Sequence, residues 1–218
     1  MSADGGASER PRGVVLAGGA STRFGEGDED KALARVGTDR VVERVVTVLH
    51  DVTRRDPVVA VRTADQRARY DRLLGERVRF AADAPGFDGP LAGVVGAAAA
   101  TDAAWLVCCG CDMPLLDPAA VGWLSGLLDG SAGEADAVAV EHPDGVVEPL
   151  HTLYRRERVL AVRDRLPATA GPRALLAELD VHVVPVAAVP EEVPIRRSTT
   201  NVNTRADLAA VRERSRES

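Results

Sequence analysis

The chain has 218 residues, enough for one well-formed core with at most a small inserted lobe. Its 27 Lys and Arg stand against 33 Asp and Glu, a formal charge of −6, and that balance excludes the basic face that general nucleic-acid binding requires. No apolar run is long enough to span a bilayer, and the polar stretch Met1–Arg12 lacks a signal-peptide core. It reads as a short disordered tail on a cytoplasmic protein with no membrane contact, ahead of a single domain over 13–218.

Short apolar runs alternate with longer amphipathic segments. Gly13 to Ala17 is a strand that ends in Gly18-Gly19. Asp39 to His50 carries Val41, Val45, Val48 and Leu49 at helical spacing. Pro57 to Val61 is a second strand, and Ala64 to Leu74 a helix stopped by Gly75. Arg77 to Ala81 is a short third strand. Pro90 to Thr101 is a helix with Pro near its first position. Trp105 to Cys109 is a fourth strand, and Asp117 caps a helix that runs to Leu128. The second half is less regular. Ala135 to Glu141 and Val147 to Tyr154 read as strands around the turn Pro143-Asp144-Gly145. Helices follow at Arg156–Arg165 and Pro172–Leu179, then a strand at Val181–Val186 and a terminal helix from Thr204 to Arg214. The βαβα order predicts a parallel sheet with helices on both faces, and such sheets bind ligands beyond the carboxyl ends of their strands.

Three of those ends carry candidate chemistry. The first is Leu16-Ala17-Gly18-Gly19-Ala20-Ser21-Thr22-Arg23-Phe24-Gly25. Glycines after a strand let backbone N–H groups approach an anion, and Arg23 can bridge phosphate oxygens with two donors. The segment lacks both the P-loop ending and G-x-G-x-x-G, so a plain strand–helix turn is the competing reading. Lys31 can reach the same phosphates as a point charge. It is the only lysine among the 27 basic residues, in a chain otherwise written with Arg, which marks a place where a compact ammonium is wanted. The second end is Cys111-Asp112-Met113-Pro114. A carboxylate there either caps a turn or holds Mg²⁺ against triphosphate oxygens. The third is Asp83, ahead of the Gly/Pro-rich stretch to Gly93, placed to accept from a base edge or a ribose; Asp88 reads as a solvated loop charge. Near the C-terminus, Asn201-Val202-Asn203-Thr204 puts two amides on one side if it is extended, facing a polar substrate or a metal-bound water, or else capping the last helix. Cys108, Cys109 and Cys111 read as buried strand residues more readily than as a metal or redox motif. His151 reads as a surface or pocket-lining residue.

Together these motifs resemble the molybdenum cofactor guanylyltransferases. The matching pieces are Leu16 to Gly25, Asp30-Lys31-Ala32-Leu33, Gly89-Pro-Leu-Ala-Gly93, Cys111-Asp-Met-Pro114, Glu148-Pro-Leu150 and Asn201-Val-Asn-Thr204, which in order cover nearly the whole chain. The first and fourth mark only the nucleotidyltransferase superfamily; Gly-Pro-Leu-Ala-Gly and Asn-Val-Asn-Thr are more specific. The resemblance implies a Rossmann-like three-layer α/β/α nucleotidyltransferase fold with a mostly parallel sheet. It implies transfer of GMP from Mg-GTP to molybdopterin-bound molybdenum, with pyrophosphate released. Leu16, Ala17, Gly18, Gly19 and Lys31 would contact GTP, Asp83 the guanosine and Asp112 the Mg²⁺, with Arg23, Lys31 and Asp112 carrying catalysis. Asn201 and Asn203 would face the pterin, and molybdoenzymes or cofactor-delivery proteins would be further partners. The chain departs from the family pattern at Arg62, where Asn is frequent, and in a longer acidic loop of Glu26, Asp28, Glu29 and Asp30. The rival readings are a cytidylyltransferase for the same pterin, a guanylyltransferase of cobamide or deazaflavin synthesis, and a GTP-binding delivery module without turnover.

Overall fold

The computed structural model describes residues 10–18 and 30–214. Gly19, Arg23, Glu26, Asp28 and Glu29 lie outside the described residues. The fold opens on β1 (Arg12–Leu16). After a single turn of 3-10 helix at Lys31–Leu33 comes a small hairpin, β2 (Arg35–Val36) and β3 (Asp39–Arg40). Asp39 therefore belongs to a strand and not to the following helix, α1 (Val41–Thr53), which begins where the Arg40 N–H donates to Glu43 Oε2 at 2.8 Å. Next come β4 (Val58–Val61), α2 (Ala64–Leu74), β5 (Arg79–Ala82), α3 (Gly89–Ala100), β6 (Trp105–Gly110) and α4 (Pro118–Gly126). The second half holds β7 (Ala137–Glu141), β8 (Thr152–Arg155), α5 (Arg156–Val162), α6 (Pro172–Ala177), β9 (Val181–Pro185), α7 (Ile195–Ser198) and α8 (Arg205–Arg214).

Seven strands form one sheet in the order β5, β4, β1, β6, β8, β7, β9. All neighbours are parallel except β8, which runs antiparallel between β6 and β7. β4, β1 and β6 are buried along their whole length because helices cover both faces. Val14 and Leu16 pack with Leu91 and Val94 of α3, Val159 of α5 and Leu175 of α6. Val15 points the other way, into Val42, Val45 and Leu49 of α1, Tyr70 of α2 and Val121 of α4. This is the three-layer α/β/α arrangement that the strand and helix order predicts. No helix among the described residues is long and apolar enough to cross a membrane.

The segment expected as a strand from Val147 to Tyr154 is a strand only from Thr152. Val147 makes an isolated bridge to Glu141, Pro149 has no N–H to give a ladder, and His151 has φ 93°, which breaks extended geometry. A third, small cluster of Val36, Val41, Leu115, Val202, Leu208 and Val211 fastens α8 to the hairpin and to the loop after β6.

Candidate active site

Parallel register brings the carboxyl ends of β4, β1 and β6 level. Leu16 pairs with Ala60 on one side and Gly110 on the other. The Ala17 N–H continues the ladder to the Ala60 carbonyl at 3.0 Å, and the Cys111 N–H reaches the Leu16 carbonyl at 3.2 Å. Beyond that edge lies a cleft of about 90 Å³ whose walls include Leu16, Gly18, Lys31, Gly93, Asp112 and Leu150. A larger cavity of about 390 Å³ lies between α6, β9 and the 145–147 segment. Among the described residues its one charged lining residue is Arg173, whereas Asp30, Lys31 and Asp112 converge on the smaller cleft, which makes the smaller cleft the candidate site.

Lys31 and Asp112 meet there. Lys31 Nζ lies 2.5 Å from Asp112 Oδ2 and 3.3 Å from Asn203 Oδ1. Both members of the ion pair are largely enclosed, with side chains 20% and 14% exposed. Asp112 is held from several directions. A Cβ on Gly110 would lie 2.4 Å from Asp112 Oδ1, so only glycine lets the carboxylate fold back over the strand end. The Val202 N–H donates to the Asp112 carbonyl at 2.9 Å. Arg44 Nε donates to the Pro114 carbonyl at 3.0 Å, and the Gly110 N–H points at Met113 Sδ, which is fully buried.

Lys31 is set by its neighbour. Asp30 caps the 3-10 turn, its Oδ1 accepting from the Ala32 N–H at 3.1 Å, while its Oδ2 accepts from the buried Tyr70 hydroxyl at 2.6 Å. Asp30 is therefore more than a loop charge: it anchors the lysine turn to α2.

Asp83 stands at the margin of the same cleft. A Cβ on Gly18 would lie 2.0 Å from Asp83 Oδ2, so the glycine of the first loop is there for the carboxylate to approach. Asp83 Oδ1 is buried and has no hydrogen-bond partner among the described residues. Burial raises the carboxyl above its ordinary pKa, opposed by the Arg62 charge. Arg62 itself pairs loosely with exposed Asp88 at 3.4 Å, so Asp88 is solvated as expected. Gln66 was missed by the sequence reading: it accepts from the Arg62 N–H at 2.9 Å and donates to the Ala17 carbonyl at 3.4 Å, bridging two strand ends. Asn201 Oδ1 is buried and unpartnered. Thr204 caps α8, its Oγ accepting from the Asp207 N–H at 3.1 Å.

The structure brings Leu16, Ala17, Gly18, Lys31, Asp83, Asp112 and Asn203 to one edge of the sheet. The cysteines are structural. Cys108 and Cys109 are buried on opposite faces, all three thiols are free, and burial raises each thiol well above its usual range. Among the described residues no group of three or more His, Cys, Asp or Glu side chains is assembled to hold a metal.

His151 is a correction. It is fully buried, neither on the surface nor in the cleft wall. Its backbone N–H donates to the Cys108 carbonyl at 2.7 Å, and its Nε2 lies 3.0 Å from Ser198 Oγ. Burial lowers its pKa from 6.5 to about 4. The unfolded chain therefore takes up a proton near pH 6.5 that the folded chain refuses until about pH 4. Stability is lost as pH falls across that window, by on the order of 3 kcal/mol, and stays level below it. Asp83 and Glu148, whose pKa values burial raises, act with the opposite sign. Urea unfolding across the window isolates the histidine by difference: His151→Gln should flatten the acid slope, and an unchanged slope would assign it to other groups.

Comparison with known proteins gives the family. The family model of the MobA-like NTP transferase domain matches residues 13–183. A probable molybdenum cofactor guanylyltransferase of Natronomonas pharaonis is 34% identical over 205 residues, covering 93% of this chain and 96% of that protein. One of Haloferax mediterranei is 31% identical over 207 residues, covering 93% of each. The solved molybdopterin-guanine dinucleotide biosynthesis protein A of Archaeoglobus fulgidus superposes with a TM-score of 0.76 at 20% identity, over 95% of this chain and 100% of that one. The chain belongs to the MobA-like NTP transferase domain family and is a nucleotidyltransferase.

Proposed function

We propose that the chain transfers GMP from GTP to the terminal phosphate of molybdopterin-bound molybdenum and releases pyrophosphate. The observation that carries the reading is the enclosed Lys31–Asp112 pair at the strand ends, 2.5 Å apart, with the unpaired Asp83 oxygen at the same edge. The names borne by the relatives support the acceptor.

The donor set fits Mg²⁺. One fixed carboxylate suits a hard cation that keeps waters and takes its other ligands from phosphates, in place of a cage of side chains. Asp112 would hold the ion, and when bound the ion supplies charge neutralisation on the triphosphate. The Gly18 and Gly19 N–H groups would face the phosphates, beside Leu16 and Ala17, whose backbone is held in the sheet ladder. The acceptor oxygen forms its bond to the α-phosphorus as the bond to the pyrophosphate oxygen breaks in line behind it. A phosphate monoester attacks as an anion, so no general base is needed. Lys31 and Arg23 then act by positioning and by countering charge on the α-phosphoryl oxygens. Asn203, beside Lys31, and Asn201, with its unpaired oxygen, would meet the acceptor.

Asp83 decides the base. A carboxylate is acceptor-only, and the guanine edge offers two adjacent donors, N1–H and the 2-amino group. Cytosine offers one, which favours GTP over CTP. Pyrophosphate release across a nucleotide panel with molybdopterin tests this. Wild-type enzyme should prefer GTP over inosine triphosphate, which lacks the 2-amino group, by about 10-fold or more. Asp83→Asn should raise the KM for GTP by roughly 10- to 100-fold and erase that preference. A variant that keeps the preference would remove Asp83 from base recognition.

A further inference from the structure

Neither member of the buried pair His151 and Ser198 lines the cleft, and neither residue has a role in the transfer as derived above. Ser198 Oγ accepts from the Asp117 N–H at 3.0 Å while lying 3.0 Å from His151 Nε2. An amide N–H only donates, so the serine oxygen is already an acceptor there. If His151 Nε2 also donated to it, both the serine proton and His151 Nδ1 would lack a partner. If the hydroxyl donates to Nε2, only Nδ1 does, and Nδ1 is the atom left buried without a partner. The assignment that satisfies more groups makes His151 the acceptor, neutral, with its proton on Nδ1.

One hydroxyl thus ties together three segments. The first is the bend at Glu148–His151, which presents Leu150 to the cleft. The second is α7, which leads directly into Asn201-Val202-Asn203. The third is the N-cap of α4, at the end of the loop that begins with Asp112. We infer that His151, acting through Ser198, is a positioning residue that holds the Asn201–Asn203 segment and the Asp112 loop in the register guanylyl transfer needs. The inference rests on the reading of that edge given above.

Two observations set this apart from ordinary packing. His151 keeps a left-handed backbone at φ 93°, which is costly for a residue with a Cβ. It also buries an unpaired ring nitrogen, which Leu in the same space would not. A core that needed only volume has no use for either cost. The benefit falls at the far end of the chain of contacts: the Val202 N–H is fixed to the Asp112 carbonyl at 2.9 Å, and Asn203 Oδ1 sits 3.3 Å from Lys31 Nζ. With Ser198 released, that segment keeps the Val202 amide, the Lys31 contact and its packing against Val36, Leu115 and α8, but loses its tie to His151 and to the N-cap of α4.

The test uses the full chain and four variants: Ser198→Ala, His151→Leu, His151→Gln and the double Ser198→Ala/His151→Leu. Three quantities are read: kcat for pyrophosphate release from GTP and molybdopterin with MgCl₂, Kd for GTP, and the side-chain signal of ¹³Cε-lysine. Lys31 is the only lysine, so that spectrum reports the site with one resonance and without turnover. Ser198→Ala and His151→Leu should each lower kcat by about 10- to 100-fold, the scale of a small misplacement at a reacting centre. Each should shift the Lys31 resonance and leave the GTP Kd within about twofold. His151→Gln, whose Oε1 accepts from Ser198, should restore kcat to within about threefold, and the double variant should be no worse than either single one. Wild-type kcat and an unmoved Lys31 resonance in folded Ser198→Ala would overturn the inference. So would equal losses in His151→Leu and His151→Gln that fall on Kd and kcat alike, because that pattern is lost packing. If Ser198→Ala does not fold, the Leu and Gln variants decide between these outcomes. If wild-type protein releases no pyrophosphate, the guanylyl-transfer reading fails, and the Lys31 resonance alone then decides the clamp.

Discussion

Lys31→Ala should lower kcat for pyrophosphate release by roughly two to three orders of magnitude, the usual cost of removing one fixed group that stabilises transition-state charge. The structure explains why nothing replaces it. Lys31 is seated by the Asp30 cap, itself tied to the Tyr70 hydroxyl at 2.6 Å, so its ammonium is aimed before any substrate arrives. Lys31→Arg keeps the charge but spreads it over a planar fork in a narrow cleft, and about a tenfold loss in kcat is expected. An arginine variant at wild-type rate would show that charge alone suffices there. Because no other lysine is present, amine-directed labelling mapped to the Lys31 peptide, apart from the α-amino group, reads this side chain: GTP with MgCl₂ should slow the labelling, and an unprotected amine would place the triphosphate elsewhere.

Asp112→Asn should cost a similar factor, roughly two to three orders of magnitude in kcat, with a further signature. The amide keeps the shape and the backbone contacts to Val202 but loses the charge that would hold the metal. The MgCl₂ concentration for half-maximal rate should therefore rise, while Lys31→Ala leaves it nearly unchanged. In the free enzyme the two residues neutralise one another at 2.5 Å. On the proposed reading, bound nucleotide would part them, with Asp112 holding the cation and Lys31 meeting phosphate. A variant with unchanged metal dependence would take Asp112 out of metal binding.

The regular half of the fold was legible because its signals are local. Continuous Val runs mark strands buried on both faces, and Thr63 and Gly75 bracket α2 at the residues where it starts and stops. Parallel order then forces Leu16, Asp83 and Asp112 to one edge whatever the details of packing. The unread parts depend on partners far away in sequence. The hairpin strands are two residues each, too short for alternation to show. Asp30 reads as one more acid in an acidic run because its partner, Tyr70, lies 40 residues on. His151 reads as a surface or pocket-lining residue because nothing nearby signals that Ser198, 47 residues away, meets it inside the protein. The Val147–Tyr154 run looks like one strand because apolar residues continue through a bend that Pro149 and a left-handed His151 impose.

The cluster that fastens α8 has only six members, Val36, Val41, Leu115, Val202, Leu208 and Val211, against two far larger cores on either side of the sheet. A unit with so little apolar surface opens well below the free energy of global unfolding. Amide hydrogens of 205–214 should thus exchange much faster than those of β1 and β6, as separate cooperative steps. Asn203, which on the proposed reading meets the acceptor, travels with that unit, so its order is set by local opening and not by the stability of the nucleotide half. Bound acceptor should slow exchange in α8 selectively, whereas GTP alone should leave it fast; uniform protection by either ligand would mean the two parts open as one.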